Sequence, residues 1–236
     1  VSKFYIPQFR DKNNDGIEFF FNYGFHIEQN IFSDDDCNQA IEMSKFLPNY
    51  LNKSYIPEQM PQLHHQYYSD MMKNTKLTDI TKKLISKNKE IFGLQSTFFY
   101  KPPGFTGASK HQDRFYVEPS DISGFLSAWV SLVDFDLNNM GNLVVYAKSH
   151  KKGNLKVNKI ENNKKIKFQT NSLVNHEEIY EQYDNREKII IFAKKGSVVF
   201  LHPNAVHESV DNNSQKNGYS ILFTYIRDDC SYKQGR

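Results

Sequence analysis

A chain of 236 residues suits one sizeable core, since all-β barrels commonly run to about 200–250 residues as a single domain. The 14% aromatic content, with runs such as Phe19-Phe20-Phe21 and Phe98-Phe99-Tyr100, supplies large buried areas and argues against disorder throughout. The formal charge of +3 is spread without a block of like charges or a basic stripe, which disfavours nucleic acid as a partner and leaves at most a mild attraction for an anionic co-substrate.

In chain order, Ile17 to Asn30 reads as a short helix, a turn at Tyr23-Gly24 and a strand. Ser33-Asp34-Asp35-Asp36 is a helix-start signal, and the helix it opens runs to about Phe46 before Pro48 stops it. A second helical stretch carries Ile80, Leu84 and Ile91 at helical intervals and ends near Gly93. Beyond it the pattern changes to strands over Ser96–Lys101, Phe125–Val133, Asn142–Tyr146, Ile189–Phe192, Ser197–Leu201 and Tyr219–Arg227. Short strands separated by Gly, Pro, Asn and Asp turns predict a β-sandwich or jelly-roll barrel with the N-terminal helices packed against it. The expected layout over 1–236 is therefore one domain, with helical support over 1–93 and a barrel core over 94–227. The polar stretch 147–188, including the lysine-rich tract from Lys151 to Lys167, reads as a lid or a disordered insertion.

Only Cys37 and Cys230 are present, far apart, so neither a disulfide framework nor a cysteine zinc site is expected, and a reducing cytoplasm fits. Val1-Ser2-Lys3-Phe4 lacks an apolar signal core, and no stretch approaches the roughly 18 apolar residues of a membrane span. The expectation is a soluble protein without a membrane partner.

The chemistry is concentrated in His111-Gln112-Asp113, which follows the Pro102-Pro103-Gly104 turn. In an extended segment the period of two puts His111 and Asp113 on one face and Gln112 on the other. A third ligand from a distant strand would complete the two-histidine, one-carboxylate face that leaves iron open positions. His207, after the strand ending at Leu201 and the Pro203-Asn204 turn, is the candidate, with His202 as its rival. His26, His64 and His65 have no carboxylate at suitable spacing. His150 either lines the cleft or caps a loop, and Phe105, Tyr116 and Tyr146 are either core or substrate wall.

The order His111-Gln112-Asp113, Trp129, the Gly141-Asn142-Leu143 turn with Ser149-His150, then His207-Glu208-Ser209 resembles the phytanoyl-CoA dioxygenase family of iron and 2-oxoglutarate oxygenases. So does the opening Glu18-Phe19-Phe20-Phe21-Asn22-Tyr23-Gly24-Phe25 followed by Ile31-Phe32-Ser33, so the resemblance runs from about Ile17 to Arg227. It implies a mainly β fold with N-terminal helices, a double-stranded β-helix of jelly-roll or cupin-like type. It implies His111, Asp113 and His207 as Fe(II) ligands, with Gln112, Trp129 and Ser209 at positions that contact the 2-oxoglutarate co-substrate. The reaction implied uses O2, releases succinate and CO2, and oxidises a C–H bond, with hydroxylation as the default. Asp113 argues against halogenation, because halogenating relatives carry a small residue there.

One departure stands out: the resemblance calls for an arginine eleven residues beyond the distal histidine, gripping the far carboxylate of 2-oxoglutarate, and this chain has Gly218. A buried carboxylate needs a cation or several hydrogen bonds. The candidates, in order, are Arg227, Lys101, Arg114 and Lys216. Two other readings stay open, a non-catalytic metal- or ligand-binding module and a cupin-type metalloenzyme that does not use 2-oxoglutarate. With Lys101, Lys110 and Arg114 near the expected mouth, the substrate is read as a small polar or anionic molecule.

Overall fold

The computed structural model describes residues 15–51, 57–136, 139–155 and 188–234. The first helix, α1 (Asp15–Tyr23), turns at Gly24 into β1 (Phe25–Glu28), and α2 (Asp34–Ser44) follows. Ser33 caps α2 reciprocally: its hydroxyl accepts from the Asp36 amide at 3.1 Å, and its own amide donates to the Asp36 carboxylate at 2.9 Å. Pro48, expected only as a stop, opens the short α3 (Pro48–Leu51), because a proline at the first helical position sacrifices no intrahelical bond. After β2 (Glu58–Gln59) come α4 (Pro61–His64), α5 (Gln66–Met72) and α6 (Thr75–Ile85).

Ile91 does not continue α6. The chain leaves the helix through Lys87 and Asn88, both at positive φ, and Ile91 begins β3 (Ile91–Lys101), five residues earlier than the expected strand. The remaining strands are β4 (Val117–Pro119), β5 (Phe125–Ser131), β6 (Leu143–Tyr146), β7 (Lys188–Ile190), β8 (Val198–Leu201), β9 (His207–Ser209), β10 (Gly218–Arg227) and β11 (Tyr232–Gln234). Those from β5 to β8, and β10, fall on the expected strands to within about two residues, whereas β2, β4 and β11 are too short to show a pattern. The insertion expected over 147–188 is described as far as residue 155; the rest of it lies outside the described residues.

Six strands form one sheet in the order β1-β8-β5-β10-β3-β2, and three form a second, β7-β6-β9; every pairing is antiparallel. Side chains alternate faces, so the large sheet has two distinct surfaces. Phe98, Ala128, Val130, Val198, Phe200, Ile221 and Phe223 pack outward onto a core with Phe20, Cys37, Tyr68, Leu77 and Leu84 from the helices. Phe25, Trp129, Val199 and Leu201 face the other way and meet Leu143, Val145 and Ile189 of the small sheet, with Ile191 just beyond β7. The helices thus cover one face of the large sheet, and the space between the sheets is left for chemistry: a jelly roll that is mainly β, with its helices N-terminal. The two cysteines are free, Cys37 deep in the helix-facing core and Cys230 near the C-terminus. No helix among the described residues is long and apolar enough to cross a membrane.

The turn before β8 is tightly constrained. Gly196 has φ +77°, and its carbonyl accepts from the amides of Ile31 and Phe32 at 3.0 and 3.1 Å. A Cβ there would lie 2.1 Å from the Phe32 carbonyl oxygen, a backbone atom with no room to retreat. Gly196→Ala is expected to lower stability by about 2 kcal/mol or more, measured by urea unfolding.

Candidate metal centre

The site begins with backbone pairing. The segment entering His111 lies alongside β9: the His111 amide donates to the His207 carbonyl at 2.9 Å, and the His207 amide donates back to the His111 carbonyl at 3.0 Å. Directly opposed residues of an antiparallel pair send their side chains to the same face. His207 in turn sits opposite Val145 of β6, whose side chain belongs to the core between the sheets. Both imidazoles therefore enter that space, with ring centroids 4.2 Å apart. Gln112 is extended, at φ −118° and ψ 135°, so Asp113 returns to the face of His111 before the chain turns into the 3-10 helix Asp113–Phe115.

Asp113 Oδ1 lies 3.7 Å from His111 Nε2 and 3.4 Å from His207 Nε2. One ligand atom from each residue falls within 4.8 Å of the others, and among the described residues this is the cluster able to hold a metal ion. Each imidazole is oriented by the carbonyl two residues before it: His111 Nδ1–H donates to Ser109 O at 2.7 Å and His207 Nδ1–H to Ala205 O at 3.1 Å. Those bonds fix the tautomer that turns the Nε2 lone pair towards the centre. Asp113 and His207 are each only 5% exposed. Burial pushes the Asp113 pKa up, but the positive charge that His207 and His111 carry when protonated, together with hydrogen bonds from His207 and the Ser127 hydroxyl, outweighs it and holds the carboxylate at about 2. Burial likewise pushes the His207 pKa down, and the Asp113 carboxylate more than reverses this. Asp113 Oδ2 is buried with no hydrogen-bond partner. An ionised carboxylate with an idle oxygen, facing two imidazoles with aligned lone pairs, fits a divalent cation of the kind bound by a facial triad.

The other expected site residues separate into groups. His202 lies outside the cluster: its Nδ1 accepts from the Asn204 amide at 3.1 Å, its ring lies 5.0 Å from that of His150, and burial with the neighbouring His150 and Arg114 lowers its pKa to about 3. His150 is held by its Nε2, 2.9 Å from the Phe21 carbonyl. Gln112, expected at the co-substrate, is occupied on the opposite face. Its amide nitrogen donates to Gly153 O at 2.9 Å and Asn204 O at 2.7 Å, and its oxygen accepts from the Leu155 amide at 3.0 Å. It clamps the strand bearing His111 and Asp113 to the turn before His207.

Trp129 is 4% exposed on the inner face of β5, its ring 5.2 Å from that of Phe135. Ser209 is opposite Leu143 and so lies on the same inner face as His207; its hydroxyl accepts from the Ala108 amide at 2.8 Å. Arg227, the first candidate for the missing arginine, is engaged elsewhere. At the far end of β10 its guanidinium binds Asp121 at 2.6 Å and Asp229 at 2.5 Å. Arg114 is occupied by Asn204 and Glu118, and the exposed Lys216 pairs with Asp136. Lys101 is buried and points inward from β3. Tyr116 stands edge-on to His111 at 5.5 Å, whereas Tyr146 is on the outer face of the small sheet, bonded to Glu208 and lying under Lys110.

Ser127 was missed in the sequence. It is two residues before Trp129, so the period of two that sends Trp129 inward brings Ser127 to the same face.

A jelly roll that gathers two imidazoles and a carboxylate around one centre defines the mononuclear non-haem metal oxygenase class. The family model described as phytanoyl-CoA dioxygenase matches residues 15–217, and the chain belongs to that family. It is 25% identical over 208 residues to a phytanoyl-CoA dioxygenase of Arabidopsis thaliana, covering 87% of this chain but 65% of that one, so it spans about two thirds of this relative's length. Among solved structures it superposes on the non-haem α-ketoglutarate-dependent carbocyclase SnoK of nogalamycin biosynthesis with TM-score 0.71, 15% identity and coverage of 98% and 90% of the two chains. The epimerase SnoN, in complex with Fe3+, α-ketoglutarate and nogalamycin RO, gives TM-score 0.69, 13% identity and coverage of 92% and 84%.

His207→Ala is expected to abolish stoichiometric Co(II) or Ni(II) binding while His202→Gln retains it, read by metal analysis after dialysis. Gln112→Ala is expected to keep the three ligands but weaken metal binding about 10- to 100-fold, as loss of a supporting shell does, measured by competition with a chelator.

Proposed function

We propose that this protein is an Fe(II)- and 2-oxoglutarate-dependent dioxygenase that oxidises a C–H bond of a small molecule, with hydroxylation as the outcome. The observation that carries this reading is the buried His111, Asp113, His207 cluster with its idle carboxylate oxygen, inside a chain of the phytanoyl-CoA dioxygenase family. Residues 1–236 are read as one catalytic unit, which the packing of the N-terminal helices onto the large sheet supports.

Iron bound here would supply activation of O2, coupled to decarboxylation of 2-oxoglutarate to succinate and CO2. The chain's own part is positioning. His111 and His207 present Nε2, their rings fixed by the Ser109 and Ala205 carbonyls, and Asp113 supplies the negative charge that favours a divalent ion. Trp129, Phe135, Leu143 and Val145 make an apolar wall between the sheets that limits water around the reacting groups. Tyr116, edge-on to His111, stands where a substrate would meet the centre, and its phenol is pushed up to about 12 by burial and by Asp113, so it is a neutral hydrogen-bonding group there.

SnoK is named a carbocyclase and SnoN an epimerase, so one fold supports different outcomes and the pocket selects among them. The polar or anionic character expected of the substrate loses two of its three cations, since Arg114 is held by Glu118 and Lys110 lies over Tyr146 on the outer face.

Purified protein given Fe(II), ascorbate and 2-oxoglutarate is expected to release succinate slowly alone and faster with an acceptable substrate. Asp113→Ala should lose both. A protein that binds no metal and makes no succinate across a broad substrate panel would reject the proposal.

A further inference from the structure

The reading above leaves the far carboxylate of 2-oxoglutarate without its arginine, and the register of two strands supplies a replacement. Gly218 opens β10 and is paired directly with Lys101, the last residue of β3. One residue further along, Tyr219 and Tyr100 are paired with their rings stacked at 5.0 Å, and both pack against the helix-facing core. By alternation Gly218 and Lys101 face the opposite way, into the space between the sheets. An arginine at 218 and a lysine at 101 would enter the same region from neighbouring strands.

The surroundings of Lys101 have the form of a built site. The residue is 5% exposed, and its ammonium donates to the Gly141 carbonyl at 2.9 Å. An ammonium carries three N–H donors, and among the described residues no carboxylate pairs with this one. Two glycines make room for its stem. A Cβ on Gly141 would lie 2.8 Å from Lys101 Cδ, and one on Gly218 would lie 3.3 Å from Lys101 Cβ and 3.1 Å from the Met140 carbonyl oxygen. Glycine at 218 is therefore what the lysine route requires, since a long side chain there would compete with the lysine stem.

The direction is also right. Along the small sheet the inward residues run from His207 to Ser209, about 7 Å per two-residue step. Ser209 is opposite Leu143, and the carbonyl that holds the ammonium belongs to Gly141, one further step beyond Leu143. The cation is thus displaced from the metal ligands along the strand direction of the small sheet, within the same space between the sheets. Burial lowers the Lys101 pKa to about 8, the behaviour of a cation short of a counter-charge.

We infer that Lys101, reaching from β3 through the space left by Gly218, binds the distal carboxylate of the 2-oxo acid co-substrate in place of an arginine on β10. The inference rests on the oxygenase reading, and the experiment separates the two. Protein loaded with Ni(II), which holds the co-substrate without turnover, is titrated calorimetrically with 2-oxoglutarate and with 2-oxopentanoate, which has a methyl group where the distal carboxylate would be. The unsubstituted protein is expected to prefer 2-oxoglutarate by roughly 30-fold or more, the scale of a buried charge pair. Lys101→Met should bring 2-oxoglutarate down to the affinity of 2-oxopentanoate, leaving metal content and 2-oxopentanoate binding within about twofold. Lys101→Ala combined with Gly218→Arg should restore much of the preference.

Equal affinity of the unsubstituted protein for the two acids overturns the inference without recourse to any variant. A folded, metal-loaded Lys101→Met that keeps the preference overturns it as well. Failure of the unsubstituted protein to bind either acid instead removes the oxygenase reading itself.

Discussion

Two backbone hydrogen bonds between His111 and His207 hold the site together, because they convert a separation of 96 residues into a cross-strand pair. Once the pair is made, much else follows from strand geometry. Opposed side chains share a face, so both imidazoles enter the barrel. The period of two brings Asp113 beside them and sends Gln112 away. Each ring then finds a carbonyl two residues upstream, so no second side chain is needed to set its tautomer. The triad is a consequence of register, and the surrounding elements serve largely to keep that register fixed. Gln112 is the clearest instance, tying the metal strand to the Asn204 turn with one nitrogen while holding the loop at Gly153 and Leu155.

The division of labour between the faces of the large sheet follows the same alternation. Outward residues of β5, β8 and β10 are apolar and meet the helices in one core. Inward residues include Ser127, Trp129, Ser131, Ser220 and Thr224, a mixed set that a purely structural interior would not select. Ser220 is buried with a hydroxyl that has no partner among the described residues. Unsatisfied polar groups of this kind are tolerated where a bound molecule or ordered water completes them.

How much of this was legible in the sequence depended on the range of the interaction. The Ser33 cap, the turn at Gly24 and the alternation over β5 and β10 are local, and reading them placed the elements. The spacing of Ile91 from Leu84 fits a helix, and only the positive φ of Lys87 and Asn88 shows that the helix has ended. The strands β2, β4 and β11 have two or three residues each and owe their existence to partners, not propensity. His111, Asp113 and His207 are marked in the sequence by a short motif and a family order, and the structure brings their side chains into one cluster. Arg227 and Lys101 are both cations at strand ends, and apart from the neighbouring Asp229 nothing local reveals that one end of β10 faces Asp121 while the other faces Lys101. Register between β3 and β10 decides the matter, and register is a tertiary fact.

The electrostatics of the barrel join these points. Asp113 is an anion held ionised in a buried place, and Lys101 is a cation in an equally buried place without a carboxylate partner among the described residues. Either one alone is unfavourable, since a buried charge loses hydration that a single hydrogen bond does not replace. They are not placed to neutralise each other: Asp113 is engaged by the two imidazoles, and the Lys101 ammonium is bonded at Gly141. Each charge is therefore complementary to something that is not part of the chain, a cation at one position and an anion at the other. A metal chelated by a dicarboxylate meets both demands at once, and its two ends are fixed by different strands. Moving the positive charge from β10 to β3 preserves this balance while changing which strand supports it, which is why a glycine can stand at 218 without emptying the site of its function.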